Sequence, residues 1–161
     1  MGNNYLLIGS TVLFVLLLWG VVGFRYLNGL RGRVRDQWET VDDMLRLRAD
    51  LVPNLIETVR RFDDGCEGII GRLIELRSNV VERDEDAFGR GIGELFAGGR
   101  ENEGLMVDVN FLELKTEIND LNRNIGVGIE MYDEMAGFYN SRRGMWLLLP
   151  IGKVLGFKKA L

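Results

Sequence analysis

The stretch YLLIGSTVLFVLLLWGVVGF, from Tyr5 to Phe24, contains twenty residues and no charged side chain. At 1.5 Å per residue, a helix of this length spans about 30 Å, the thickness of the hydrocarbon core of a bilayer. The preceding MGNN is uncharged and no small-residue cleavage site follows, which argues against a signal peptide. The sequence therefore predicts a transmembrane helix at 5–24 behind a short extracytoplasmic tail at 1–4.

The residues that follow the predicted span carry a belt of positive charge. Residues 25–35 contain Arg25, Arg31, Arg33 and Arg35 and no acidic residue. Positively charged flanks of transmembrane helices stay in the cytoplasm. We therefore predict a single-pass protein of the cell membrane or an internal membrane, with its N-terminus outside and the rest of the chain in the cytoplasm.

Residues 144–161 form a second apolar and basic segment, which ends in MWLLLPIGKVLGFKKAL. It is too short to span a bilayer and Pro150 interrupts it, so it resembles an amphipathic segment that lies on the membrane surface. The predicted membrane contacts here are Trp146, Lys153, Phe157, Lys158 and Lys159. Two basic blocks beside apolar sequence favour anionic lipids as partners. The alternative is that these apolar residues cover the end of a protein core.

Composition excludes several classes of chemistry. The chain has no His and only one Cys, Cys66, so Ser-His-Asp and Cys-His nucleophiles and zinc sites of His and Cys cannot form. The clustered acidic residues lack the spacing of a calcium loop. The acidic middle of the chain argues against nucleic-acid binding. We expect no catalytic residue, no metal and no cofactor, and we expect that the protein is not an enzyme.

Hydrophobic residues after the span recur at alternating steps of three and four, the pattern of bundled helices. The three stripes are Leu27, Leu30, Val34, Trp38, Val41 and Leu45; Val52, Leu55, Val59, Phe62, Cys66, Ile69, Leu73, Leu76 and Val80; and Phe111, Leu114, Ile118, Leu121, Ile125, Gly128, Tyr132, Met135 and Tyr139. The pattern predicts an all-α fold in which the transmembrane helix continues into a long antiparallel bundle of three to four helices over residues 25–143. The predicted helices are 25–49, 51–81, 84–97 and 109–143, with a loop at 98–108.

A tight turn is expected between the first two helices. Pro is tolerated in the first turn of a helix, and Asp50 is a suitable N-cap before Pro53. Asp50, Pro53 and Asn54 thus form a predicted helix-turn motif, either purely structural or a surface for a partner. Glycines recur at Gly65, Gly68 and Gly71. They allow close packing, either inside one bundle or between neighbouring copies of the chain.

Three stretches resemble the LemA family of membrane proteins: ADLVPNLIETV (Ala49 to Val59), NFLELKTEINDLNRNIGVGIEMYDEMAGFYNSR (Asn110 to Arg142) and the final GFKK (Gly156 to Lys159). The Arg-rich segment from Leu27 to Arg48 is similar to the first soluble helix of that family. The resemblance implies an N-terminal membrane helix, a cytoplasmic helical bundle and no known catalytic activity. The chain departs from the family pattern at residues 88–104, which are rich in Gly.

Two functions fit these features. The first is a membrane-anchored scaffold that forms homo-oligomers and organises or remodels the membrane. The second is an adaptor that holds an unidentified cytoplasmic protein or a membrane enzyme at the bilayer. Large ordered assemblies on liposomes would favour the scaffold, and a dispersed monomer with one specific protein partner would favour the adaptor.

Overall fold

The computed structural model describes residues 2–62, 64–78, 84–100, 102–145 and 158–160, and these residues form helices and turns without a strand. The helices are α1 (Gly2–Arg60), α2 (Glu67–Ser78), α3 (Glu85–Gly99), α4 (Glu103–Met106) and α5 (Val109–Gly144), with a 3-10 turn at Asp64–Cys66. The predicted all-α fold is confirmed, because the long apolar N-terminal helix packs antiparallel to the long C-terminal helix. The one-turn helix α4 lies in the predicted loop.

The chain divides into two compact units, and both α1 and α5 contribute to each of them. The terminal unit consists of Met1–Val41 and Val127–Leu161, and the central unit consists of Asp42–Gly126. Each unit has its own core.

In the terminal unit, α1 packs against α5 through the predicted stripes. Leu27, Val34, Ala136 and Tyr139 are buried, and Trp19, Leu30, Tyr132, Met135 and Ala160 pack partly buried around them. Trp38 is half exposed, and its ring lies 5.1 Å from that of Tyr132 in a tilted arrangement. This small core fixes the faces of α1 and α5 that remain exposed in the terminal unit.

The central unit has the larger core, built from α1, α2, α3, α4 and α5. Its fully buried members include Val52, Leu55, Val59, Ile70, Leu73, Phe88, Leu95, Leu105, Phe111 and Ile118. The glycines of α3 permit this packing. A Cβ at Gly91 would lie 2.9 Å from Cδ2 of Leu73, and one at Gly99 would lie 2.7 Å from Cδ2 of Leu105. In the Gly-rich region at 88–104, Gly91 and Gly99 thus lie on a helix and leave room for Leu73 and Leu105 to pack against it.

Short polar side chains begin the three helices that follow α2. Asp84 Oδ1 accepts a hydrogen bond from the Ala87 N–H at 2.9 Å, and Asp108 Oδ1 accepts one from the Phe111 N–H at 2.8 Å. Asn102 Oδ1 accepts from the Leu105 N–H at 3.2 Å, while its Nδ2 donates to the Phe62 carbonyl at 2.7 Å. N-capping of this kind satisfies N–H groups that a helix leaves free. These caps explain why the observed bounds of α3 and α5 are close to the predicted helices 84–97 and 109–143.

The predicted turn at Asp50, Pro53 and Asn54 is wrong, because α1 runs unbroken through all three residues to Arg60. Pro53 has no N–H, so the carbonyl of Ala49 loses its partner within the helix. Arg77 of α2 replaces that partner, with its Nε donating to the Ala49 carbonyl at 3.1 Å. The same guanidinium lies 3.5 Å from the Asp50 carboxylate. Pro53 therefore lies inside α1 instead of starting a helix, and a side chain of α2 supplies the hydrogen bond that the proline removes.

The first helix ends at Arg60, eleven residues after its predicted end at Ala49, so the expected helix over 51–81 is also wrong. Asp64–Cys66 forms the 3-10 turn and α2 begins only at Glu67. The second stripe therefore crosses a break, and its phase changes there: Phe62 is exposed, and Ile70 rather than Ile69 is fully buried. Val80 lies outside the described residues.

A buried cation joins α1, α3 and α5 in the central unit. The guanidinium of Arg48 donates to Asn122 Oδ1 at 2.8 Å and is paired with the Glu85 carboxylate. It also lies over the ring of Phe88, 5.6 Å from its centroid. Only 8% of the Arg48 side chain is exposed. Because a buried charge without partners is costly, these contacts fix the register of the three helices.

Candidate membrane interface and basic cleft

The first part of α1 is an exposed apolar helix. Almost all of its apolar window is exposed, and it is the one helix among the described residues that is long and apolar enough to cross a membrane. Its hydroxyls are satisfied locally, since Ser10 and Thr11 donate to the Leu7 carbonyl at 2.9 and 2.8 Å. A core helix would be buried by its own protein. The exposed side chains of this helix are instead apolar, as is typical of a surface that contacts an apolar environment.

The four arginines of the predicted belt are exposed, but they differ in their neighbours. Arg35 donates to Glu39 Oε1 at 2.8 Å, and this hydrogen bond and the Glu39 charge raise the pKa of Arg35 above its ordinary value. No carboxylate of the described residues lies within ion-pair distance of Arg25, Arg31 or Arg33. Their positive charge is therefore available to an external anion.

Residues 158–160 are held against α5 by three hydrogen bonds, which we call the Asn140 clasp. The Asn140 side chain donates from Nδ2 to the Ala160 carbonyl at 2.9 Å and accepts at Oδ1 from the Ala160 N–H at 3.0 Å. Tyr139 Oη donates to the Lys158 carbonyl at 3.0 Å. The backbone of this segment is thus fixed while the side chains of Lys158 and Lys159 remain exposed.

The clasp brings two lysines beside two of the belt arginines. Together they line a cleft of about 280 Å³ in the terminal unit, which we call the basic cleft. Its lining residues are Arg31, Val34, Arg35, Trp38, Tyr132, Tyr139, Lys158, Lys159 and Ala160. Four of these are cationic and none carries a carboxylate. The arrangement suits an anionic group that also has an apolar portion, because Trp38 offers a half-exposed ring at the same place.

The other predicted membrane contacts are not gathered at this cleft. Arg25 lies outside its lining, and Arg33 lines a neighbouring apolar groove of about 310 Å³ with Met131 and Phe138. Trp146, Lys153 and Phe157 lie outside the described residues. The aromatic residues of the cleft were predicted only as stripe members. Their exposure was not visible in the sequence, although Trp beside Arg is a common signal for the membrane interface.

A second groove, of about 630 Å³, lies on α5 in the central unit. Its apolar lining is Val109, Leu112 and Leu121, and its carboxylates are Glu113, Glu117 and Asp120. Val109 is 65% exposed and Leu112 is 40% exposed. An apolar surface edged by acidic side chains is complementary to a basic amphipathic segment.

Groups that could support metal or thiol chemistry are not brought together in the described part of the chain. No three residues of the types His, Cys, Asp and Glu converge there on one point. Cys66 is buried in the core of the central unit and forms no disulfide.

The sequence model of the LemA family matches residues 37–160, which is well over half of the chain. Comparison with curated proteins gives no match. The matched range includes the central unit, α5 and the Asn140 clasp, and it starts after the exposed apolar part of α1.

Proposed function

Since this chain belongs to the LemA family and begins with an exposed apolar helix, we propose that it is a membrane-anchored structural protein that self-associates and organises the bilayer around it. The single observation that supports this most is the continuity of α1. The exposed apolar helix runs without a break into residues that form the cores of both units. A segment built into the fold in this way serves as a permanent anchor, because cleavage after it would remove the start of a packed helix.

The proposed topology places the N-terminus outside and the two units in the cytoplasm. The exposed charges of Arg25, Arg31 and Arg33, which have no carboxylate partner among the described residues, support it, since such residues resist transfer across the bilayer. The absence of His and the buried lone thiol support a structural role over an enzymatic one.

Self-association is supported by glycines that no packing within the described residues explains. A Cβ at Gly68, Gly71 or Gly126 would meet nothing within 4 Å. Each Gly in a helix interior costs about 1 kcal/mol relative to Ala. Small residues on an exposed helix face allow another helix to approach closely. We therefore assign the outer face of α2, marked by Gly68 and Gly71, to contacts between copies of the chain.

Electron microscopy of the full chain in liposomes tests the proposal. We expect ordered assemblies or remodelled liposomes, and we expect a Gly68→Leu, Gly71→Leu double variant to lose them while it keeps its helix content. The matched control is Gly93→Leu, which also enters open space but lies on α3, off the assigned face of α2. Dispersed monomers of the unmodified chain would contradict self-association.

The groove on α5 favours a second candidate, an adaptor for a cytoplasmic protein with a basic amphipathic segment. In that case the chain would bind one partner as a dispersed monomer, and Leu112→Glu would abolish binding. Val127→Glu is the matched control, because Val127 is exposed on α5 outside the groove. Crosslinking in membranes with each variant distinguishes the two functions.

A further inference from the structure

We infer that the basic cleft binds the phosphate group of an anionic phospholipid. The inference rests on the proposed membrane anchoring and deepens it, since it assigns a specific lipid site to the terminal unit. Such a site differs from a diffuse basic belt, which attracts any negatively charged surface and does not hold its cations in fixed positions around one ligand.

The charge of the cleft supports a phosphate ligand. Arg31, Lys158 and Lys159 have no carboxylate partner among the described residues, and only Arg35 is paired, with Glu39. Guanidinium and ammonium groups donate short, charge-assisted hydrogen bonds to phosphate oxygens. Three cations that have no carboxylate partner in the described part of the chain exceed the single charge of a phosphodiester, so the site prefers headgroups with a net negative charge over zwitterionic ones.

The aromatic wall supports a lipid as the source of the phosphate. Trp38 is 47% exposed and rests against Tyr132, so one side of its ring faces outward from a surface that is otherwise charged. Trp38 lies fourteen residues beyond Phe24, roughly 21 Å along α1, so its ring can contact only the outer, organic part of a headgroup. A free phosphate ion has no organic portion to contact this ring, whereas the alcohol esterified to a lipid phosphate does.

The end of the cleft nearest the apolar span, at Arg31, also fits a lipid headgroup. Arg31 lies about two turns beyond Phe24, which places its Cα roughly 10 Å past the end of the apolar span. The headgroup layer extends about 5–8 Å beyond the hydrocarbon core. Because side chains tilt towards the N-terminus of a helix, which here is the membrane side, the Arg31 guanidinium reaches back into that layer.

Lipid titration of the full chain in a neutral detergent tests the inference. Phosphatidylglycerol is added and bound lipid is counted by native mass spectrometry, with phosphatidylcholine as the zwitterionic comparison. The Arg31→Gln, Lys158→Gln pair removes two cleft cations, and the Arg25→Gln, Arg33→Gln pair removes two cations outside the cleft. Each cation near an anionic surface contributes about fivefold in affinity. We expect at least tenfold weaker phosphatidylglycerol binding for the cleft pair and less than threefold for the control pair.

If both pairs of substitutions weaken phosphatidylglycerol binding equally, the proposed site is wrong, because the affinity then depends on total positive charge and not on where the cations lie. A Trp38→Ala variant provides a second measurement: unchanged phosphatidylglycerol affinity would remove the aromatic wall from the argument and overturn the lipid assignment. Inorganic phosphate that displaces the lipid at equal concentration would likewise overturn the lipid as the source. Assemblies that persist in the cleft variants would leave the proposed scaffold intact, so failure of one proposal is distinguishable from failure of the other.

Discussion

The repaired helix at Pro53 allows a quantitative test by a double-mutant cycle. Replacing Arg77 with Met keeps much of the apolar stem but removes the Nε donor that lies 3.1 Å from the Ala49 carbonyl. Ala49 is 5% exposed, so its carbonyl has little access to water. An unsatisfied buried carbonyl costs about 1–3 kcal/mol. Because 45% of the Arg77 side chain is exposed, we expect the lower part of that range for Arg77→Met.

Pro53→Ala supplies the N–H that the Ala49 carbonyl lacks. In that background Arg77→Met should reduce the free energy of unfolding by no more than about 0.5 kcal/mol, the value of a surface ion pair. The two substitutions should therefore be coupled by roughly 1 kcal/mol. Asp50→Asn is the control for the ion pair alone, since the Asp50 side chain is 72% exposed.

Urea unfolding of the four chains in detergent, followed by circular dichroism at 222 nm, measures these free energies. Equal effects of Arg77→Met in both backgrounds would refute the reasoning. The Arg77 hydrogen bond would then make no contribution to the continuity of α1.

Further predictions concern the core of the central unit. Gly99→Ala should reduce its stability by about 1–3 kcal/mol through overpacking against Leu105 and Phe111, whereas Gly71→Ala, in open space, should raise it by up to about 1 kcal/mol; urea midpoints compare the two. Glu85→Gln should reduce stability by about 1–3 kcal/mol, because it leaves the buried Arg48 without a counter-charge, and an effect no larger than that of Glu94→Gln in an exposed pair would contradict this. Ile118→Asp should unfold the central unit, as seen by loss of helix signal, while Ile69→Asp, at a partly buried position, should have a smaller effect. Cys66 should react with a thiol reagent only at the rate at which the core opens, and rapid labelling in native buffer would show that it is accessible.

The sequence correctly predicted those helices whose hydrophobic face and N-cap depend on residues that are close together in the chain. The stripe from Phe111 to Tyr139 lies on α5, and its members Phe111, Ile118 and Tyr139 are fully buried. Asp84 precedes α3 directly, so its role as a cap follows from a contact three residues away. Such features depend on neighbours in the sequence and can be predicted from it.

The turn near Pro53 could not be predicted in this way, because the carbonyl it frees is satisfied by Arg77 from another helix. A local signal for the true turn did exist, since Asp63, Asp64 and Gly65 are typical turn residues. The uninterrupted stripe concealed it. The basic cleft was predicted only in part. Its four cations were identified by charge, but the cleft joins residues 31–38 to Tyr132 and to residues 158–160, which lie roughly a hundred or more positions further along the chain.

The Asn140 clasp also affects how strongly a ligand binds. A free segment would lose conformational entropy worth about 1–2 kcal/mol for each backbone residue that becomes fixed on binding. Lys158 and Lys159 already have an ordered backbone, since Asn140 and Tyr139 hold the segment on either side. Because this entropy is lost when the chain folds and not when a ligand binds, the two lysines are preorganised. More of their attraction for an anion is then retained as affinity.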